Sequence, residues 1–159
     1  LRQEEERKRR EEEERKRREE EERRKRPHII VVASFPEQVW FGATFDMTIV
    51  VRNDGGGPAE DVHVYMRANP SGYFNMLWSS HTWTGIAPYG VRFNVGTIYP
   101  GSQVRIVNRI RAPTAAQVGA GMNFEMTFTY DYYGISETFG DRWVITVGPG
   151  GVFMFERKP

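Results

Sequence analysis

From His28 onward the apolar residues recur at every second position. In "ATFDMTIVVRND" they fall at Phe45, Met47, Ile49 and Val51, and in "EDVHVYMRA" at Val62, Val64 and Met66. "VRFNVGTI" offers Val91, Phe93 and Val95, and "SQVRIVNRIRAP" sets Val104, Ile106 and Ile110 against Arg105, Arg109 and Arg111. The clearest case is "MNFEMTFTYDYYG", with Met122, Phe124, Met126, Phe128 and Tyr130 opposite Asn123, Glu125, Thr127, Thr129 and Asp131. With "HIIVVASF" and "TFGDRWVITV" this gives seven strand candidates. A period of two puts alternate side chains on opposite faces, so each strand has one wet and one dry face. Sheets of that kind pack dry face to dry face. The prediction is a mainly β fold, an immunoglobulin-like β-sandwich of about seven antiparallel strands. Turn residues agree: Asp54-Gly55-Gly56-Gly57-Pro58 reads as a reversal with positive-φ capacity, and Pro100-Gly101 suits a type II turn.

The first 26 residues follow another rule. After Leu1 no apolar residue occurs before Pro27; instead acidic and basic blocks of about four alternate, from Glu4–Glu6 through Arg7–Arg10, Glu11–Glu14, Arg15–Arg18 and Glu19–Glu22 to Arg23–Arg26. A half-period of four makes i,i+4 neighbours opposite in sign, as in Glu11 with Arg15 and Glu12 with Lys16. These residue types are good helix formers. A coiled coil needs apolar a and d positions, which are missing. The expectation is an isolated charged helix of residues 1–26, about 39 Å long, stopped by Pro27 and followed by the sandwich of residues 27–159. The pattern resembles the single α-helices of alternating acidic and basic quartets that serve as rigid spacers in motor and other proteins. A docking strip for a charged partner is the alternative use.

Charge sharpens this division. Residues 1–26 hold 13 of the 22 Lys and Arg and 11 of the 21 Asp and Glu, which leaves 9 basic and 10 acidic residues for the rest. A body of net charge −1 is unlike that of a nucleic-acid binder. With no cysteine there is neither a disulfide nor a thiolate chemistry. No apolar run approaches the roughly 20 residues of a membrane span. The first residue is Leu1, so the chain reads as part of something longer.

Candidate chemistry is sparse. His28, His63 and His81 stand apart in sequence, without metal-ligand spacing. Ser79-Ser80-His81 lacks a nucleophile elbow, and Gly55-Gly56-Gly57 lacks the Lys of a phosphate loop. Asp54, Glu60 and Asp61 flank that loop and could coordinate a Ca²⁺, but exposed carboxylates in turns are usually just solvated. The reading is no catalytic set, no metal and no cofactor. Pro70 blocks the sequon at Asn69.

Four stretches carry a family resemblance. Val51 to Asn53, Ala59 to Val64 and Ile98 to Gly101 match a strand ending in V-x-N-x-G, a following "A-x-x-V-x-V" strand and an "L/I-x-P-G" turn, and Tyr130 to Gly134 keeps the D-x-x-G part of a late "Y-x-D-x-x-G" strand. In these respects residues 29–147 resemble the CARDB-type and related Ig-like domains of archaeal and bacterial surface proteins. The resemblance implies a structural module rather than an enzyme and favours a cell surface, while related sandwiches also occur as ear and appendage domains inside cells, which leaves the compartment open.

Two segments go beyond sandwich grammar. Residues 69–90 carry Tyr73, Phe74, Trp78, Trp83 and Tyr89 with almost no charge. Such rings either fill the core or form a contact patch for protein or glycan. The tail "GVFMFERKP" presents Val152, Phe153, Met154 and Phe155 in one apolar run. It either folds back beside "RWVITV", which a short Gly-rich turn favours, or adds to a sheet edge of a neighbouring copy. The function expected is a non-enzymatic structural or protein-interaction module on a rigid helical spacer. A carbohydrate-binding module using the aromatics of residues 69–90 is the alternative.

Overall fold

The computed structural model describes residues 1–86, 90–119 and 121–159; Tyr89 lies outside them. Among the described residues a helix, α1 (Arg2–Arg24), precedes strands β1 (Ile29–Ser34), β2 (Gln38–Trp40), β3 (Thr44–Asn53), β4 (Ala59–Asn69), β5 (Asn75–Ser79), β6 (Trp83–Ile86), β7 (Gly90–Ile98), β8 (Gln103–Arg111), β9 (Phe124–Tyr132), β10 (Ile135–Gly148) and β11 (Val152–Arg157). The strands form two antiparallel sheets: a four-stranded sheet in the order β1-β3-β8-β5, and a seven-stranded sheet in the order β2-β11-β10-β9-β4-β7-β6. The architecture is the mainly β sandwich that the alternation predicts.

The faces point as the period-two pattern requires. Phe45, Met47, Ile49 and Val51 of β3 meet Val62, Val64 and Met66 of β4 and Phe124, Met126 and Phe128 of β9 in one core. Burying each such side chain contributes on the order of 1.5–3 kcal/mol. Aromatic rings pack together within and against it. Phe35 stacks on Phe155 at 5.0 Å, and Phe74 meets Phe124 and Phe153 edge-on at 5.1 and 5.4 Å.

Four of the strands lie outside the seven candidates. β2 buries a single residue, Val39, and β6 buries none, so neither shows an alternation. A bulge between Met76 and Trp78 interrupts β5. β11 is the tail, which returns through Gly150 and Gly151, both at left-handed φ (87° and 79°), to pair with β10 from Gly148↔Val152 to Trp143↔Arg157. Its other edge pairs with β2 over Val152 to Met154. At the β7–β8 turn the Ser102 N–H donates to the Tyr99 carbonyl at 3.0 Å and Gly101 takes φ 77°, as a Pro-Gly type II turn demands.

At Ala33 the outer edge of β1 is capped by side chains. The Ala33 N–H donates to Asp141 Oδ2 at 2.8 Å, and the Ala33 carbonyl accepts from Arg157 Nη2 at 2.6 Å. Asp141 and Arg157 pair with each other at 3.4 Å, and the Arg157 guanidinium lies 5.0 Å over the Trp143 ring.

None of the residues of α1 is buried. Its order comes from its own surface. Glu14 pairs with Arg18 at 2.8 Å and Glu20 with Arg24 at 3.1 Å, both at i,i+4 with the acid on the N-terminal side. The Arg18 hydrogen bond holds the Glu14 carboxyl below its usual range. Glu4 and Glu5 in the first turn and Arg23 and Arg24 in the last complement the helix dipole. Among the described residues no helix is long and apolar enough to cross a membrane.

Candidate functional site at the helix–sandwich junction

β3 ends at Asn53, which is fully buried. A side-chain amide has two donor hydrogens and two acceptor lone pairs. Asn53 engages all four. Its Oδ1 accepts from the N–H groups of His28 and Gly55 at 3.1 and 3.0 Å, and its Nδ2 donates to the carbonyls of Gly57 and Ile98 at 2.8 and 2.9 Å. Its backbone N–H donates to the Ser102 carbonyl at 3.0 Å, and its carbonyl accepts from Gly101 N–H at 2.8 Å. One residue thus ties the segment after α1 to the glycine loop, the end of β7 and the β7–β8 turn.

The glycine loop receives the end of the helix. The N–H groups of Gly56 and Gly57 donate to the Arg26 carbonyl at 3.0 and 3.4 Å, satisfying an acceptor that a helix terminus leaves open. A Cβ on Gly55, Gly56 or Gly57 would fall 2.2, 1.4 or 1.6 Å from the carbonyl oxygen of Arg26, Arg24 or Lys25. None of the three glycines has a positive φ. The loop therefore needs glycine for clearance, which corrects the expectation of a positive-φ reversal. Beside this contact lies an open cavity of about 330 Å³, lined by Arg26 and Pro27, by Pro58 and Glu60, and by Tyr132 to Ile135 in the β9–β10 turn. The arrangement holds one body against another and brings no nucleophile and base together.

The outer face of the seven-stranded sheet carries a second constellation. The register sets His63 opposite Asp131 and Tyr65 opposite Thr129. His63 Nδ1 lies 3.0 Å from Asp131 Oδ1, while the Tyr65 hydroxyl donates to Asp131 Oδ2 at 2.6 Å. Partial burial, then the bond to Asp131, push the Tyr65 phenol up to about 12. Arg67 pairs with Glu137, which also accepts from Thr129; the Arg67 bond holds the Glu137 carboxyl below its usual range. Arg142 reaches Glu125 at 3.5 Å. The charges on this face thus largely neutralise one another. Sequence spacing missed the His63–Asp131 contact, because the partners are 68 residues apart and only the register joins them.

The residues singled out from the sequence scatter. Tyr73 and Phe74 turn inward, both packing on Phe124, at 5.3 and 5.1 Å. Trp78 and Trp83 are 52% and 41% exposed, but they point different ways. Trp78 sits opposite Arg109 on the outward phase of the small sheet, and Trp83 opposite Phe93 on the inward phase of the large one. Val152 and Phe153 are buried, Phe155 is half-buried and Met154 is exposed. Ser80 continues the β5 pairing, its Oγ accepting from Val107 N–H at 2.8 Å. Asp54 pairs with Arg52 at 2.7 Å, and among the described residues no group of three or more His or acidic side chains has the geometry to hold a metal ion.

Several solved structures share the layered β layout. A CARDB domain from Pyrococcus furiosus, solved in complex with di-metal ions, aligns with a TM-score of 0.47 at 13% identity, over 82% of this chain and 87% of that one. The reeler domain of human F-spondin aligns at 0.42 and 10% identity, over 86% and 93%. A biomass-sensing module of Clostridium thermocellum, which resembles a family 3 carbohydrate-binding module, aligns at 0.36 and 17% identity, over 84% and 100%. No curated protein matches the chain in sequence. One family model runs through α1, the glycine junction and both sheets, from residue 2 to residue 149, and the chain belongs to that family, described as Domain of unknown function (DUF8453).

Proposed function

We propose that the chain is a non-enzymatic presentation module: residues 1–26 form a charged helical spacer, and residues 27–159 form a β-sandwich that offers a contact surface to a protein or glycan partner at a set orientation. The junction is the observation that supports this reading. A flexible tether would leave the helix end solvated. Here the Arg26 carbonyl is bonded to the glycine loop, and the loop is anchored by the four hydrogen bonds of Asn53. At about 1.5 Å per residue, α1 then carries its far end roughly 35 Å from the sandwich along a defined direction. The absence of an apolar stripe on α1 fits a helix that works alone in water.

Spin labels at Arg9 and at Thr146 test this by pulsed dipolar spectroscopy. A narrow distance distribution is expected for the wild type. Gly56→Ala places a Cβ against the Arg24 carbonyl, and should broaden that distribution without lowering the melting temperature of the sandwich. A distribution already broad in the wild type overturns the proposal.

A further inference from the structure

We infer that the outer face of the four-stranded sheet is a binding surface for an acidic polysaccharide, a chain of sugars bearing carboxylate or sulfate groups. This goes beyond the presentation role and does not depend on it. The outward positions of β3 and β8 hold Arg52, Arg105, Arg109 and Arg111 against one carboxylate, Asp46, and those of β1 and β5 are uncharged. Arg52 is taken by Asp54 at 2.7 Å and Arg109 by Asp46 at 3.1 Å. Arg105 and Arg111 make no ion pair among the described residues. Their cross-strand neighbours Val50 and Thr44 are neutral, and so is Asn75 on the other side of Arg111. The body thus hides an uneven distribution behind its net charge of −1. The large sheet pairs most of its charges internally, Arg92 excepted, while the small sheet keeps Arg105 and Arg111 exposed and without an ion pair among the described residues.

The chemistry of the face narrows the anion. Its cations are all arginines, whose planar fork binds carboxylate or sulfate bidentately where lysine offers a point charge. At about 3.3 Å per residue, Arg105, Arg109 and Arg111 span roughly 20 Å along one strand, a line suited to an extended chain. Trp78, beside Arg109 and 52% exposed, adds one apolar ring face against which the C–H side of a sugar can lie. Single-stranded nucleic acid on a sheet needs several stacking rings. Here the remaining outward residues include Ile30, Val32, Val50 and Val107. An acidic peptide that added itself to a sheet would use a strand edge, whereas these arginines stand on the face.

Isothermal titration of the full chain with polygalacturonate and with a sized heparin oligosaccharide tests the inference, with polyglutamate and oligothymidylate of matched charge as controls. The double variant Arg105→Gln/Arg111→Gln keeps α1 and its basic quartets, so any binding through the helix survives in it. We expect at least a tenfold loss of affinity for an acidic glycan in that variant, with an unchanged melting temperature. Trp78→Ala should cost a further several-fold. Four results would overturn the inference: no binding of either glycan, a loss under twofold in the double variant, no effect of Trp78→Ala, or equal affinity for polyglutamate or oligothymidylate.

Discussion

α1 and the sandwich reach order by opposite means. The helix buries nothing and is held by pairs of neighbours one turn apart. The sandwich buries Phe93, Phe124, Phe128 and Phe153 completely, and its contacts join residues far apart in sequence. Local pairs saturate one by one, so a helix of this kind should lose structure gradually. A shared core fails as a unit, because each strand is dry only while the others are in place. The junction at Asn53 is where the two regimes meet.

The largest expected effect comes from the core. Phe128 is fully buried and lies 6.2 Å from Phe35. Phe128→Ala should lower sandwich stability by about 4 kcal/mol in urea unfolding followed by tryptophan fluorescence. Helicity at 222 nm should persist beyond that transition. Joint loss of both signals would make helix and sandwich one cooperative unit and erase the contrast.

Alkaline pH should act next, and on the sandwich through Tyr65. Its phenol is pushed up to about 12 by burial and then by Asp131, whereas an unfolded tyrosine titrates near 10. Between those values the unfolded chain holds fewer protons than the folded one. The stabilisation is therefore complete below about pH 10 and is lost as the pH rises through 12. Tyr65→Phe should flatten that slope, read by the same urea midpoint across pH 9 to 12. A slope unchanged in the variant would assign the loss to other groups.

The smallest effect belongs to the helix. Glu14→Gln removes the charge that pairs with Arg18. A slight fall in ellipticity at 222 nm is expected, with no change in the sandwich transition. Salt at 1 M should mimic it, because screening weakens exposed pairs and spares the core.

Much of this contrast is legible in the sequence. The quartets of residues 4–26 specify a charged helix, and the alternation in β3, β4 and β9 specifies which side chains turn inward, because both signals are local. Asn53 stands in the V-x-N-x-G motif, but two of its four side-chain hydrogen bonds reach residues 25 and 45 positions away, and spacing cannot show that. Gly55 to Gly57 read as a turn because sequence records a missing side chain and not the backbone that occupies its place. His63 and Asp131 meet through register alone. The aromatics of residues 69–90 look like one group until the bulge in β5 and the change of sheet send Trp78 and Trp83 to different faces.

The capped edge of β1 bears on how the protein survives at high concentration. "IIVVAS" is short, β-branched and uncharged, and it borders its sheet, which is the profile of a segment that recruits other chains into fibres. At Ala33 both backbone groups that would template such growth are already held by Asp141 and Arg157. Those two side chains act as gatekeepers from the opposite sheet. The backbone of this edge strand is thus capped at Ala33 by residues more than a hundred positions away in sequence.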